Sequence, residues 1–122
     1  MASLIRLDQR VPFVMKWEKE LQEKDPSYLP TTFYFRPPTP AEHSRYKDLV
    51  EARLYGAASV YLTETCLTGH DNLFDQGKPK KFDETAGVTG WAFEWICEAA
   101  VFVDRLGDPP SEVFPRSASP SG

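Results

Sequence analysis

Reactive side chains are scarce in this 122-residue chain, which contains two cysteines and two histidines. Two cysteines are too few for a disulfide framework, and Cys66 and Cys97 both fall at apolar positions of predicted helices. We therefore expect reduced, packed thiols, as is usual in the cytoplasm. A zinc site needs three or four ligands at recognised spacings, which these residues do not offer. No metal and no cofactor is predicted.

Excess basic charge and long apolar runs are also missing. The net charge is −4 and the pI is near 5.2, and the one basic run is the short stretch 78–81. A nucleic-acid interface needs a concentrated basic face, so nucleic acid is not an expected partner. No apolar stretch approaches the ~20 residues of a membrane span. The start, "MASLIRLDQR", lacks the pattern of a signal peptide, so no membrane partner is expected.

Aromatic residues are what the chain has in quantity. They make up 13% of the sequence and hydrophobic residues make up 41%, which indicates a folded core. The length predicts one domain rather than two. We place that single α+β domain at residues 1–107 and interpret residues 108–122, "DPPSEVFPRSASPSG", as a flexible tail rich in Ser and Pro.

Two segments near the start alternate apolar residues with the period of two that is typical of strands. The first covers residues 11–17, and the second is "TTFYFR", in which Phe33 and Phe35 share a face. Pro12 places the first segment at a sheet edge, because proline cannot donate to a ladder. The polar segment "EKELQEKDPSYLP" joins the two as a loop. We therefore predict an antiparallel β-hairpin.

Two helices are predicted after the hairpin. The sequence "TPAE", residues 39–42, forms a capping box, and helical spacing of apolar residues then continues to Thr68. Gly69 is the expected stop of this helix, and a bend is expected at Gly56. The second helix begins between Glu84 and Gly90 and ends at Leu106, before Gly107; its alternative caps are Asp83, Thr85 and Thr89. The predicted fold is α+β: an N-terminal antiparallel β-hairpin packed on two amphipathic α-helices, with a mobile C-terminal tail.

The stretch "TETCLTGHDNLFD", residues 63–75, holds the densest group of reactive side chains. Cys66 and His70 are four residues apart, so a metal site or a nucleophile with its base has to be considered. No third ligand follows at a zinc spacing, the calcium-loop pattern fails at Leu73, and Gly69 turns the chain between thiol and imidazole. We interpret Cys66 as a packed thiol and His70 as lying beside the carbonyls of a helix end. No enzyme is predicted.

The aromatic residues offer a binding surface instead. Trp91 and Trp95 lie on one face of the second helix, where they either fill the core or leave part of their surface exposed to a partner. An edge strand at residues 11–17 offers another means of binding, by strand addition. The candidate partner-binding residues are Phe13, Met15, Trp17, Phe33, Phe35, Leu73, Phe74, Trp91 and Trp95.

The order of these segments carries a resemblance. An extended segment leads through a proline-containing cap into a long helix, and the connector "CLTGHDNLFDQGKPKKFDE" precedes a second helix. Over about residues 31–106 this arrangement resembles the tail assembly chaperones, small proteins encoded in the morphogenesis modules of tailed bacteriophages. The matching residues are Arg36, Pro37, Thr39, Leu73, Phe74, Asp75 and Gly77. Pro38 stands where the pattern has an apolar residue.

The resemblance implies a non-enzymatic protein of the host cytoplasm that binds the tape-measure protein through an apolar surface. The long helical chain of that partner otherwise exposes apolar residues before the tail tube forms, and self-association into an oligomer is a further expectation. Two alternatives stay open. One is a permanent virion component, either a head–tail connector or a tail part. The other is a small inhibitor of a host defence enzyme, which would use acidic residues Glu18, Glu20, Glu23 and Asp25 to attract a basic groove.

Overall fold

The computed structural model describes residues 8–107, so the tail predicted at residues 108–122 lies outside the described residues. The predicted α+β class is confirmed. The elements are β1 (Val11–Phe13), α1 (Lys16–Lys24), β2 (Thr32–Phe35), α2 (Pro40–Glu51), α3 (Tyr55–Cys66), β3 (Leu67–Asp71), β4 (Phe74–Asp75), β5 (Lys78–Pro79) and α4 (Phe93–Leu106). Within residues 8–107, no helix has the length and apolar character needed to cross a membrane.

The central sheet has the strand order β1-β2-β3, and both neighbouring pairs are antiparallel. The predicted pairing of the first two strands is confirmed, with Phe13 opposite Phe33. The predicted strand over residues 11–17 is too long, because β1 ends at Phe13 and the chain enters α1 at Lys16. The segment predicted as a loop is therefore mostly a helix. Its Lys, Glu, Leu and Gln residues are strong helix formers, although the segment lacks the continuous apolar stripe by which helices are usually predicted.

A helix–turn–helix replaces the predicted long helix. Its start is as predicted, since Thr39 and Glu42 form the capping box. The chain breaks after Glu51, however, and not at Gly56, which lies inside α3. Arg53 adopts a φ of 63°, and the N–H groups of Arg53 and Leu54 donate to the carbonyls of Val50 and Leu49, at 2.9 Å each. These two bonds form a Schellman motif, with an arginine where glycine is usual.

The third strand, β3, follows α3 without a connecting loop. The helix ends at Cys66, and residues 67–71 pair with β2, so the predictions of a helix reaching Thr68 and of a stop at Gly69 are wrong. Gly69 lies opposite Tyr34 in the sheet. A Cβ atom there would come within 2.6 Å of an Nη atom of Arg10, whose guanidinium lies over the Tyr34 ring. The glycine therefore makes room for a side chain on the outer face of the sheet.

The last helix, α4, starts later than predicted. Residues 84–90 form tight turns, and the first helical residue is Phe93, preceded by Ala92, which provides no side-chain cap. The expected stop at Gly107 is confirmed. Helices α3 and α4 pack against the inner face of the sheet. The buried cluster that they share consists of Met15, Phe33, Phe35, Leu62, Cys66, Ala99 and Val103.

A candidate protein-binding face

Helix α1 has its carboxylate inside and its tryptophan outside. Glu18 is 4% exposed, and its Oε1 accepts hydrogen bonds from the Tyr28 hydroxyl at 2.9 Å and from the Thr31 N–H at 3.0 Å. Burial and this bond to the Glu18 carboxylate raise the pKa of Tyr28. Trp17, the neighbouring residue, is 43% exposed. The two bonds made by Glu18 fix the rotation of α1, and that rotation directs Trp17 outward.

The start of α1 is capped by another helix. Met15 is its N-cap residue and has no side-chain oxygen to offer. Instead, a carboxylate oxygen of Glu98 on α4 accepts the Lys16 N–H at 2.7 Å. A carboxylate at the first N–H groups of a helix also interacts favourably with the helix dipole. This bond fixes the beginning of α1 against α4 and so brings Trp17 close to Trp95.

Six apolar side chains from three segments form one surface, which we call the aromatic face. Its members are Trp17 and Leu21 on α1, Leu73 and Phe74 at the β4–β5 hairpin, Trp91 before α4 and Trp95 on α4. The Trp17 and Trp95 rings are stacked with centroids 6.2 Å apart, and Trp95 meets Trp91 edge to face at 6.2 Å. Leu21, like Trp17, is an exposed large apolar residue, and it lies one helical turn further along α1.

The aromatic face is held from below by the core. The ring of Phe33, which has no exposed surface, lies 4.4 Å from Trp91 and 6.3 Å from Trp95 between centroids. The two indoles are therefore half-buried: both pack on β2, and Trp95 is also covered by the Trp17 ring. Aromatic pairs in such tilted and stacked arrangements add roughly 0.5–1.5 kcal/mol beyond area burial. The face is consequently pre-arranged rather than a set of free side chains.

The β4–β5 hairpin forms one border of the aromatic face. Gln76 and Gly77 both have positive φ, 52° and 80°, which is the geometry of a two-residue type I′ turn. The Lys80 N–H donates to the Leu73 carbonyl at 2.8 Å and closes the base of the hairpin. Phe74 projects from it with 57% of its surface exposed. Between the hairpin and the two indoles lies a groove of about 190 Å³, also lined by Asp75 and Lys80.

The predicted partner-binding residues divide into two groups. Five of them come together in the aromatic face: Trp17, Leu73, Phe74, Trp91 and Trp95. The expectation is wrong for Met15, Phe33 and Phe35, because each has no exposed surface and belongs to the core. Phe13 is half-buried, with its ring 4.7 Å from that of Phe102. Leu21 was not predicted; its spacing of four from Trp17 is a signal only once residues 16–24 are recognised as a helix.

Burial is the main influence on the pKa of both Cys66 and His70. The Cys66 side chain has no exposed surface, and burial raises the pKa of its thiol to about 12. His70 belongs to β3 and not to a helix end, so that prediction is wrong. Its ring is edge-on to Phe33 at 6.4 Å and to Phe82 at 5.6 Å, and burial lowers its pKa. Residues 8–107 hold no group of three or more His, Cys, Asp or Glu side chains that suits a metal ion.

A second histidine forms an ion pair far from the aromatic face. The Nε2 atom of His43 lies 2.6 Å from an Oδ of Asp104, and the pair ties the start of α2 to the end of α4. The Nδ1 side of the ring faces Gly107, where an added Cβ would come within 3.0 Å. A nucleophile would have to stand at that nitrogen for a catalytic triad. The pair therefore has the geometry of a structural link, beside a surface depression of about 430 Å³.

No protein-family model, curated protein or solved structure gave a significant match to this chain. No relative therefore supplies a function or a set of binding residues. A functional proposal has to be supported by the arrangement of the side chains themselves, above all by the aromatic face.

Proposed function

We propose that this protein is a non-enzymatic assembly chaperone that covers an apolar surface of another protein with its aromatic face. The observation that carries the proposal is the Trp17–Trp95 stack, fixed at its base by the core and by Glu98 yet open to solvent on Trp17. Contiguous exposed apolar patches are rare on monomeric proteins and commonly mark interaction sites. Tryptophans in particular are frequent hot spots of binding.

The shape of the aromatic face suits an amphipathic helix. The face runs from Leu21 and Trp17 on α1, across Trp95 and Trp91, to the groove beside Phe74. An amphipathic helix presents apolar anchors at steps of three and four residues, which such an elongated surface can receive. Asp75 and Lys80 line the groove with one charge of each sign and can accept the polar flank of the helix.

The identity of the partner is proposed from the resemblance to tail assembly chaperones. Two of the residues that carry the resemblance, Leu73 and Phe74, belong to the aromatic face, and Asp75 and Gly77 form the hairpin that presents them. We therefore propose the tape-measure protein of a tailed bacteriophage as the partner, bound in the host cytoplasm before the tail tube polymerises. In this proposal the chaperone leaves the tape-measure chain when the tube covers it.

Substitution of Trp17 tests the proposal. Purified parent and Trp17→Ser proteins are titrated into synthetic amphipathic segments of a phage tape-measure protein, and calorimetry measures the dissociation constants. Loss of a hot-spot tryptophan costs about 2 kcal/mol or more, so affinity should fall at least ~30-fold. The matched control is Leu29→Ser, which removes an exposed leucine of the α1–β2 connection. Equal affinities of the parent and Trp17→Ser would overturn the proposal.

Composition of purified phage particles separates the chaperone from a permanent virion component. A chaperone is absent from finished particles, whereas a connector or tail part is present in stoichiometric copy by mass spectrometry. The third possibility, an inhibitor that uses acidic residues, has less support. Glu18 is buried, and the exposed acids of α1 alternate with Lys19 and Lys24, so α1 does not present a face of one sign.

A further inference from the structure

Residues 73–87 lie over the inner side of β3 and are fixed at their two ends. Before the segment, the Thr31 hydroxyl donates to the Asn72 carbonyl at 2.8 Å. After it, the Val88 N–H donates to a carboxylate oxygen of Glu64 on α3 at 3.2 Å, and Val88 itself is buried. We call residues 73–87, which include the β4–β5 hairpin, the strap.

The backbone has a left-handed conformation at both ends of the strap. Asn72 has a φ of 60° and Gly87 has a φ of 55°. A Cβ atom added at Gly87 would also collide with the Glu64 carboxylate. Hinges in proteins consist of a few loop residues that absorb large changes of φ and ψ. These two positions can therefore act as hinges about which the strap turns as one piece.

Between the hinges, the strap rests on the imidazole ring of His70. The Phe82 ring meets the His70 ring edge to face at 5.6 Å, and on the core side His70 is edge-on to Phe33 at 6.4 Å. The space between strap and β3 is a cavity of about 20 Å³, lined also by Leu73 and Lys80. A space of that size holds about one water molecule. The half-buried imidazole therefore cannot gain a full hydration shell while the strap stays in place.

Three charged groups lie near the His70 ring, and only one of them is positive. Lys80 is on the strap and disfavours a second positive charge on His70, in addition to burial, which is the largest cause that lowers the pKa. Asp71 opposes this shift, but its carboxylate lies on the outer face of the sheet, where it accepts a tyrosine hydroxyl at 2.7 Å. Asp83 also lines the cavity, and its carboxylate accepts the N–H and the hydroxyl of Thr85. Both carboxylates therefore already have donors of their own.

We infer that the strap is a pH-sensitive device: it stays closed over neutral His70 and moves away from β3 when His70 is protonated. The neutral ring packs between two phenylalanines, whereas the charged ring gains hydration and distance from Lys80 once the strap has moved. The strap carries Leu73 and Phe74, so its opening removes the hairpin border of the aromatic face. Opening is a property of the chain alone, and the loss of affinity that follows from it rests on the proposed function.

The direction of the pH effect follows from the two states of the strap. Under the closed strap His70 binds its proton less readily, and in the open state its pKa returns toward the ordinary value of 6.5. The free energy that holds the strap closed is therefore fully present above about pH 6.5 and decreases as the pH falls below that value. Acidification opens the strap, and return to neutral pH closes it.

Hydrogen exchange of the protein without any partner tests the strap. Mass spectrometry follows the amides of residues 73–87 and of α3 at about pH 7.5 and about pH 5.5, with rates corrected for the intrinsic effect of pH. Protection of the strap should fall about three- to tenfold at the lower pH, because the open state then binds a proton that the closed state resists. Protection of α3 should change much less. His70→Phe, which keeps an aromatic ring without a titrating group, should abolish the fall, as should His70→Gln.

Charge reversal on the strap provides the matched pair of variants. Lys80→Glu replaces the positive charge beside His70 by a negative one, so the fall in protection should become smaller. Lys81→Glu makes the same change at an exposed neighbour that does not line the cavity, and it should behave like the parent. A Lys81→Glu effect equal to that of Lys80→Glu would contradict a local contact with His70.

Three results would overturn the inference. The first is strap protection that does not depend on pH, and the second is the same pH dependence in the parent and in both His70 variants. The third is loss of protection in α3 in parallel with the strap, because the protein would then be unfolding as a whole. Melting temperatures at both pH values show that each variant is folded when its exchange is measured.

Binding of a synthetic amphipathic segment of a phage tape-measure protein tests the consequence for the aromatic face. The parent should bind this segment several-fold more weakly at the lower pH, and His70→Phe should bind it equally at both. An open strap with unchanged affinity would refute the link between the strap and the aromatic face. Absence of binding at both pH values would refute the proposed function, and the exchange experiment would still decide whether the strap opens.

Discussion

Strand β2 and helix α1 use large side chains in opposite ways. In β2 the period of two sends Phe33 and Phe35 into the core and leaves Tyr34 on the outer face, as the apolar pattern indicates. In α1 the pattern is reversed, since Glu18 is buried and Trp17 is exposed. Position in the fold, and not residue type alone, decides which side chain stabilises the protein and which is available to a partner.

The reversal in α1 has a physical cause. A buried carboxylate is costly unless it is hydrogen-bonded, and Glu18 has two donors in Tyr28 and Thr31. Those bonds hold the connection between α1 and β2 in place. Trp17 then packs sideways on Trp95 and not inward. We infer that the buried hydrogen bonds of Glu18 keep Trp17 at the surface.

Substitution on β2 should show the largest effect. Phe33→Ala removes a fully buried ring that also supports Trp91 and Trp95, so the free energy of unfolding should fall by about 3–5 kcal/mol in urea denaturation. Tyr34→Ala, on the outer face of the same strand, loses the 2.7 Å bond from its hydroxyl to Asp71 and the Arg10 contact. Its cost should be smaller, about 1–2 kcal/mol. If both variants lost a similar free energy of unfolding, the inner and outer faces of β2 would contribute equally to stability, contrary to this description.

Removal of the buried carboxylate should have an intermediate effect. Glu18→Ala leaves the Tyr28 hydroxyl and the Thr31 N–H without their acceptor, which should cost about 1–3 kcal/mol. Glu20→Ala, at an exposed position of the same helix, should stay within about 0.5 kcal/mol of the parent. Chemical denaturation measures both, and the tryptophan fluorescence should shift if α1 rotates, because Trp17 stacks on Trp95. A Glu18→Ala protein as stable as Glu20→Ala would contradict the role given to the carboxylate.

Acidification should have the smallest and most gradual effect. Burial lowers the pKa of His70 below its ordinary value of 6.5, so the unfolded chain binds the proton first. Stability should therefore decrease as the pH falls below about 6.5. The hydrogen bonds from Arg36 lower the pKa of Glu42 below 4.5, and the stability that this carboxylate contributes above that pH is lost as the pH falls through the lowered pKa.

Two variants separate these steps in pH-dependent thermal unfolding. His70→Gln should remove the decrease that begins near neutrality and leave the acid step. Glu42→Gln should reduce the acid step, and it should also weaken the capping box of α2. If His70→Gln kept the near-neutral decrease, another group would be responsible for it.

The features that could be predicted from the sequence are those that depend only on residues close together in the chain. The capping box at Thr39 and Glu42 and the stop at Gly107 needed no tertiary contact, and both are confirmed. The end of β1 at Phe13 was missed because residues 11–17 alternate like a strand although Lys16 already belongs to α1. The start of α4 was missed because Ala92 gives no capping signal.

The remaining errors come from contacts distant in sequence. Strand β3 forms because residues 67–71 pair with β2, which outweighs the helical pattern before them. The aromatic face was predictable in part, since Trp91 and Trp95 were expected to lie together and do so, although Trp91 precedes α4. Which aromatic residues face inward could not be predicted, because the rotation of α1 depends on Glu18, Tyr28 and Glu98 together.

The corner between α2 and α3 has a consequence for engineering. Arg53 holds a left-handed backbone conformation that disfavours any residue with a Cβ atom, by about 1–2 kcal/mol. Glycine accepts that conformation freely, and the arginine side chain at this exposed corner has no hydrogen bond or ion pair within residues 8–107. Arg53→Gly should therefore make the molecule more heat-resistant at a position outside its core and outside the aromatic face.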